Sequence, residues 1–368
     1  MDASQLRVRN RLGRAHIKLG QLRLAEEAFK VVLESVAGRG AQEKQARDEA
    51  RSWLRQVQAV RSLLARLERQ CAGLEWGAVS ATATEVLKED FCPHFAHVRE
   101  VKLKSLCRLR RWAEAKAVAE SFASPSRGGA AGGIAPLRVT DSRGMLVLTE
   151  GRLLERLQRM EGQIGLMYVE ALKNLPTVDM SQLSELLQML AHVLARINRD
   201  SAERSTTGRP HWTADACERI LKMLEAKQRG DDGFKRASLS SVEDAIQSYT
   251  EAMAVDPDAE RFNAVLYCNR AACYQHLGRH RDAVLDCTAA LRFEPTYAKA
   301  YLRRARANRA LRNFTDAKKD YHSYHKTAPS TAESLRVDVE LAELEREQWV
   351  YQQGRHGGGG GGGAGGGG

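Results

Sequence analysis

A recurrence of 34 residues near the C-terminal end constrains this chain more than any other feature. Tyr267, Ala271, Tyr274, Leu277, Ala283, Cys287 and Pro295 are followed, 34 positions on, by Tyr301, Ala305, Asn308, Leu311, Ala317, Tyr321 and Pro329. Small and aromatic residues return in register, and each unit closes on proline. The spacing within a unit fits two antiparallel helices. Small residues at Ala271 and Ala283 let the two helices approach, while Tyr267 and Tyr301 fill the space between units. Pro295 and Pro329 cannot continue a helix, so each ends the second helix of its unit. Gly278 stands where the first helix needs a left-handed cap. Residues 264–324 are therefore expected to form four helices in two stacked hairpins, broken near Gly278, Pro295 and Arg312.

The same spacing appears upstream. Ala245, Tyr249, Ala252 and Pro257 repeat the internal pattern of Ala283, Cys287, Ala290 and Pro295. Near the N-terminus, Leu12, Gly13, Leu19, Gly20, Ala25 and Phe29 fit one unit. Residues 53–87 and 98–122 read as further helical pairs. Ile164, Tyr168, Ala171 and Pro176 read as the second helix of a unit whose first helix is degenerate. A 34-residue period of this kind is the signature of tetratricopeptide repeats. The expected fold is all-α, a tetratricopeptide-repeat superhelix of antiparallel helical hairpins, an α-solenoid with a concave groove.

Composition divides the chain further. Irregular repeats are expected over 1–123, a Gly/Ser/Ala-rich loop over 124–136 and a degenerate repeat over 137–197. A polar linker follows over 198–213, then a three-repeat domain over 214–329. Ser330, Thr331, Ala332 and Glu333 form a capping-box pattern that opens a solvating helix over 330–353. The glycine tail over 354–368 has no side chains to bury and is expected to be disordered.

The apolar fraction, 43%, can supply a core, and no apolar run approaches the roughly 20 residues of a membrane helix. The first residues lack a signal-peptide core, so a cytoplasmic location is the default expectation. The seven cysteines are scattered with no CxxC and read as small buried hydrophobes in a reducing compartment.

The stretches KQRGDDGFK, EDAIQSYTEAMAVDP and NAVLYCNRAACYQHLGRHRDAVLDCTAALRFEPTYAKAYLRRARA resemble co-chaperone repeats of the DnaJ subfamily C member 7 type. Those proteins carry a C-terminal J domain. The segment WGAVSATATEVLKEDFCPHFAHVREVKLKSLCRLRRWAEAK resembles that family's earlier repeats. The likeness extends over most of residues 7–352 and is strongest over 227–329. The sequence contains no His-Pro-Asp, the triplet a J domain uses to stimulate an ATPase. A fragment or a relative without a J domain is therefore expected, with no ATPase stimulation by this chain.

The resemblance also implies a site. Chaperone-binding members of the superfamily grip a partner's C-terminal carboxylates with five polar residues. The motif positions fall here on Lys227, Asn269, Lys299 and Arg303. Lys299 and Arg303, four apart, share a helix face, and cationic donors suit carboxylates. The fifth position, normally asparagine, falls on Asp231. A like charge about 4 Å from a bound carboxylate costs roughly 4 kcal/mol at an effective dielectric near 20. Asp231 could instead pair with Lys227, four residues back. The implied partners are the C-terminal tails of heat-shock protein 70 and heat-shock protein 90.

Competing readings rest on charge. The formal net charge is +11, and Lys299, Arg303, Arg304, Arg306, Arg309, Arg312, Lys318 and Lys319 form a dense basic run. Lys299 and Arg303 are then ordinary solvated charges, and the run suits a basic assembly scaffold or an RNA-associated protein. His94 with His97, His276 with His280 and His322 with His325 have metal-compatible spacing, but no further ligand completes a set, so no metal is expected. The chain has no phosphate-binding glycine loop, nucleophile elbow or HExxH, so neither a cofactor nor an enzymatic activity is expected.

Overall fold

The long-chain and alanine-rich composition favours helix, and the extended elements of the described residues are helices. The computed structural model describes residues 2–35, 40–88, 96–123, 137–142, 146–160, 162–204, 212–328 and 332–357. The segment 124–136, Cys92, His94, Pro329, Ser330, Thr331 and residues 358–368 lie outside them. In chain order the helices are α1 (Ala3–Lys18), α2 (Leu22–Glu34), α3 (Ala41–Ala72), α4 (Trp76–Lys88), α5 (Ala96–Arg108), α6 (Trp112–Ala123), α7 (Glu150–Gln158) and α8 (Gly162–Lys173). There follow α9 (Leu183–Arg204), α10 (Thr213–Arg236), α11 (Leu239–Val255), α12 (Glu260–His276), α13 (His280–Phe293), α14 (Ala298–Ala310), α15 (Phe314–Thr327) and α16 (Ala332–Gly357). A short 3-10 turn at Met180–Gln182 and one antiparallel bridge, Thr140 to Leu146, complete the described elements.

The chain divides into two units. The first comprises Met1–Leu137 and Glu155–Leu175. In it α1 to α6 pack each on the next, and α8 packs on α5 and α6. Its core includes Leu6, Ile17, Phe29, Val57, Val60, Val79 and Val86. The second unit comprises Arg138–Leu154 and Pro176–Gly368. In it α9 packs on α10, and α10 to α16 then pack in succession. Ala271 and Ala283, and their counterparts Ala305 and Ala317, are fully buried where first and second helices of a hairpin meet. Val337 and Leu344 of α16 close the last hairpin against Tyr321 and Tyr324.

The four helices expected over 264–324 are α12 to α15, broken at the three places named. At the first break Gly278 has φ +70°, the left-handed cap that a glycine tolerates. At the equivalent place Arg312 accepts φ +61°, and Asn313 N–H still returns to the Asn308 carbonyl at 2.9 Å. The backbone motif survives the loss of its glycine because the cap's own hydrogen bonds hold it.

One polar contact repeats with the period. Arg270 of α12 binds Asp286 of α13 through two bonds of 2.7 and 2.8 Å, and reaches back to Thr250 of α11 at 2.8 Å. Arg304 of α14 binds Asp320 of α15 at 2.9 and 2.6 Å and reaches Thr288 of α13 at 3.2 Å. Both aspartates are buried. Each arginine therefore ties three helices.

Several expected boundaries move. The linker expected over 198–213 is helix at both ends, since α9 continues to Arg204 and α10 starts at Thr213. Leu190, Leu194 and Ile197 bury one face of α9, and the polar residues beyond them extend the same helix. The stretch 137–197 is split between the two units and does not form one repeat. Residues 53–87 take in the later part of α3 packed on α4, a helical pair, but α3 starts earlier, at Ala41, and runs for 32 residues because no glycine or proline interrupts it. The expected tail is helical over 354–357, the end of α16. Of the cysteines, Cys217, Cys268, Cys273 and Cys287 are buried, while Cys71 and Cys107 are half-buried.

Two outcomes follow from these contacts. Arg304→Met should cost roughly 3 kcal/mol, because it strands the buried Asp320. The double change Arg304→Met with Asp320→Leu should recover most of that loss in urea unfolding. The second outcome concerns Glu294, bound by Arg261 at 2.8 Å. Burial pushes its carboxyl up, but hydrogen bonds from Thr296 and Arg261 outweigh this and hold it below the ordinary carboxylate range. A depressed folded pKa gives stability that is full above the unfolded value, about 4.3, and lost as pH falls through the folded value. Glu294→Gln should therefore be less stable at pH 7 and show a shallower loss on acidification, read by unfolding midpoints across that range.

Candidate functional site

The motif residues converge within the second unit. On α10, Lys227 and Asp231 stand one turn apart, and Nζ of the lysine donates to Asp231 Oδ2 at 2.6 Å. Between them Gly230 opens a gap that Tyr249 of α11 enters: a Cβ there would fall 2.6 Å from the tyrosine ring. The Tyr249 hydroxyl consequently donates to Asp231 Oδ1 at 2.7 Å. Asn269 of α12 donates to the same oxygen at 3.4 Å. From α14, Arg303 Nη1 donates to Asn269 Oδ1 at 3.4 Å and to the Cys268 carbonyl oxygen. Lys227, Asp231, Asn269 and Arg303 thus form one hydrogen-bonded chain across three helices.

A cavity of about 150 Å³ opens on this chain. Its walls are Asp231, Asn269 and Arg303 with Phe234, Lys235, Tyr249 and Ala272. Burial first, then the Asp231 carboxylate, push the Tyr249 phenol up, so it remains a donor. Burial pushes the nearby Cys273 thiol up to about 12, against the opposing pull of Arg303. That thiol stays protonated and unreactive at neutral pH.

Lys299 stands apart from the network. It lies one turn before Arg303 on α14, is exposed, and has no hydrogen-bond or ion-pair partner among the described residues. Its neighbours in the basic run are mostly engaged. Arg304 holds Asp320, Arg306 holds Glu340, and Arg309 holds Glu343 and Glu347. Lys318 pairs with Glu345, Lys319 pairs with Asp316, and Arg312 lies over the Tyr351 ring. The acidic face of α16 therefore cancels much of the charge that the linear sequence displays. Among the described residues no group of three or more metal-ligating side chains assembles.

The motif reading missed Tyr249, the strongest neutral donor to Asp231. Its signal was Gly230, a glycine inside a helix that needs a bulky neighbour to account for it.

This chain has the tetratricopeptide-repeat fold, and its residues 6–35 match the family described as tetratricopeptide repeat. Within that class it is 36% identical over 121 residues to the DnaJ homolog subfamily C member 7 homolog of Dictyostelium discoideum, a match covering 33% of this chain and 22% of that protein. It is 40% identical over 112 residues to DnaJ homolog subfamily C member 7 of Mus musculus, covering 30% and 22%. The matched stretch thus spans about a fifth of these relatives (22%). The crystal structure of the P58(IPK) TPR domain, 15% identical, covers 93% of this chain and 79% of that one with a TM-score of 0.50, and shares the fold.

Gly230→Ala tests how the site is positioned. The added methyl must displace the Tyr249 ring, so the variant should lose about 1–3 kcal/mol in chemical unfolding. Adding Tyr249→Ala to it should cost less than Tyr249→Ala costs in the wild-type background, since both changes act on one contact.

Proposed function

We propose that this chain is a non-catalytic, cytoplasmic adaptor, a co-chaperone that holds the acidic C-terminal tails of heat-shock protein 70 and heat-shock protein 90. The observation that carries this reading is the hydrogen-bonded chain of Lys227, Asp231, Asn269 and Arg303, with exposed Lys299 beside it. In this reading Lys299 and Arg303 receive the ligand's side-chain carboxylates, and Asn269 supplies a neutral donor. The likeness to DnaJ homolog subfamily C member 7 supports the co-chaperone class. The alternative of a basic assembly scaffold or RNA-associated protein loses support, because most of the basic run already has carboxylate partners.

The test is a calorimetric titration with a peptide ending in Glu-Glu-Val-Asp. Wild-type chain should bind it. Lys299→Ala with Arg303→Ala should weaken binding by about 3 kcal/mol or more, since a charged hydrogen bond contributes roughly 1.5–3 kcal/mol. Lys299→Ala alone should weaken binding with the unfolding midpoint unchanged, because that side chain is exposed and unpartnered. A wild-type chain that ignores the peptide removes the reading.

A further inference from the structure

The donors at the proposed site do not point into empty space. Lys227, Tyr249 and Asn269 each direct one hydrogen to Asp231. A carboxylate has about four acceptor positions. Oδ1 receives two donors and Oδ2 receives one, which leaves a further lone pair on Oδ2. Asp231 also lines the cavity. The wall that a terminal carboxylate would approach therefore presents an acceptor, and each donor behind it already directs one hydrogen to that acceptor.

We propose that Asp231 sets the specificity of this site by filling the seat of a terminal carboxylate with the chain's own carboxylate. The ligand class is an acidic peptide that places a hydrogen-bond donor at that seat, either a carboxamide or the backbone N–H of a continuing chain. Its acidic side chains go to Lys299 and Arg303. This inference rests on the peptide-binding reading above and refines which part of the ligand each residue takes. The charge count agrees. Lys227 and Asp231 cancel as a pair at 2.6 Å, so a second carboxylate would meet a lysine whose charge is already neutralised. A neutral amide brings a donor and adds no charge.

The experiment compares two forms of one synthetic peptide ending in Glu-Glu-Val-Asp, the free acid and the C-terminal amide, by calorimetry on the full chain. Wild type should bind the amide at least as tightly as the free acid. Asp231→Asn restores a donor and frees Lys227, so it should bind the free acid at least tenfold tighter than wild type does and reverse the preference. A wild-type preference for the free acid beyond about twofold overturns the inference and leaves the peptide-binding reading standing. So does an Asp231→Asn chain, folded by circular dichroism, with no gain for the free acid. Binding of neither form by either chain overturns both. The wild-type comparison needs no substitution, so it decides the matter even where the variant fails to fold.

Discussion

The second unit depends on an arginine that reaches three helices at once. Arg270 and Arg304 each place a two-pronged guanidinium on a buried aspartate of their own hairpin and a third bond on a threonine of the preceding one. Apolar packing is tolerant of small slides, since dispersion and burial are not directional. A bidentate ion pair is not tolerant, because a slide of one residue leaves a charge unpaired in the interior. The buried alanines bring helices close, and the arginine then selects the register. That division of labour explains why the hairpins repeat so regularly at 34 residues here.

The register carries through to the site. Asn269 and Arg303 are 34 apart, so they occupy the same place on successive first helices and meet at 3.4 Å. Asp231 precedes Asn269 by 38, the offset that also separates Ala245 and Tyr249 from Ala283 and Cys287, so it holds the equivalent place on α10. Gly230 admits the Tyr249 ring, whose hydroxyl holds Asp231 Oδ1 while Lys227 holds Oδ2. The periodic position thus supplies Asp231, Asn269 and Arg303, and the glycine gap adds the Tyr249 bond.

Much of this was legible in the residues, and the losses have physical causes. Helix breaks at Gly278 and Pro295 were readable because backbone chemistry decides them locally. The end of α9 was misread because polar residues mark a loop only when nothing upstream holds the helix, and here a buried face does. The basic run of α14 and α15 was visible, but its neutralisation was not: the glutamates that cancel it lie 27 to 38 residues away on α16. Only packing brings them opposite. The motif positions on Lys227, Asp231, Asn269 and Arg303 came from the family resemblance, whereas the bond from Tyr249 required knowing which side of α10 faces α11.

Asp231 also bears on the stability of the site when it is empty. A buried hydroxyl or amide without a partner costs about 1–3 kcal/mol. With an asparagine at position 231, Lys227 would lose its carboxylate, while Tyr249 and Asn269 would share a weaker neutral acceptor. The aspartate removes that cost, so the donors are held in place with no ligand present. The same bonds must then be kept or replaced when a ligand arrives, and only a ligand that leaves them intact binds without a penalty. Order in the empty site and discrimination between ligands therefore come from a single side chain. This is a coupling that a neutral donor at the same position could not provide, because it has no charge to oppose an incoming carboxylate.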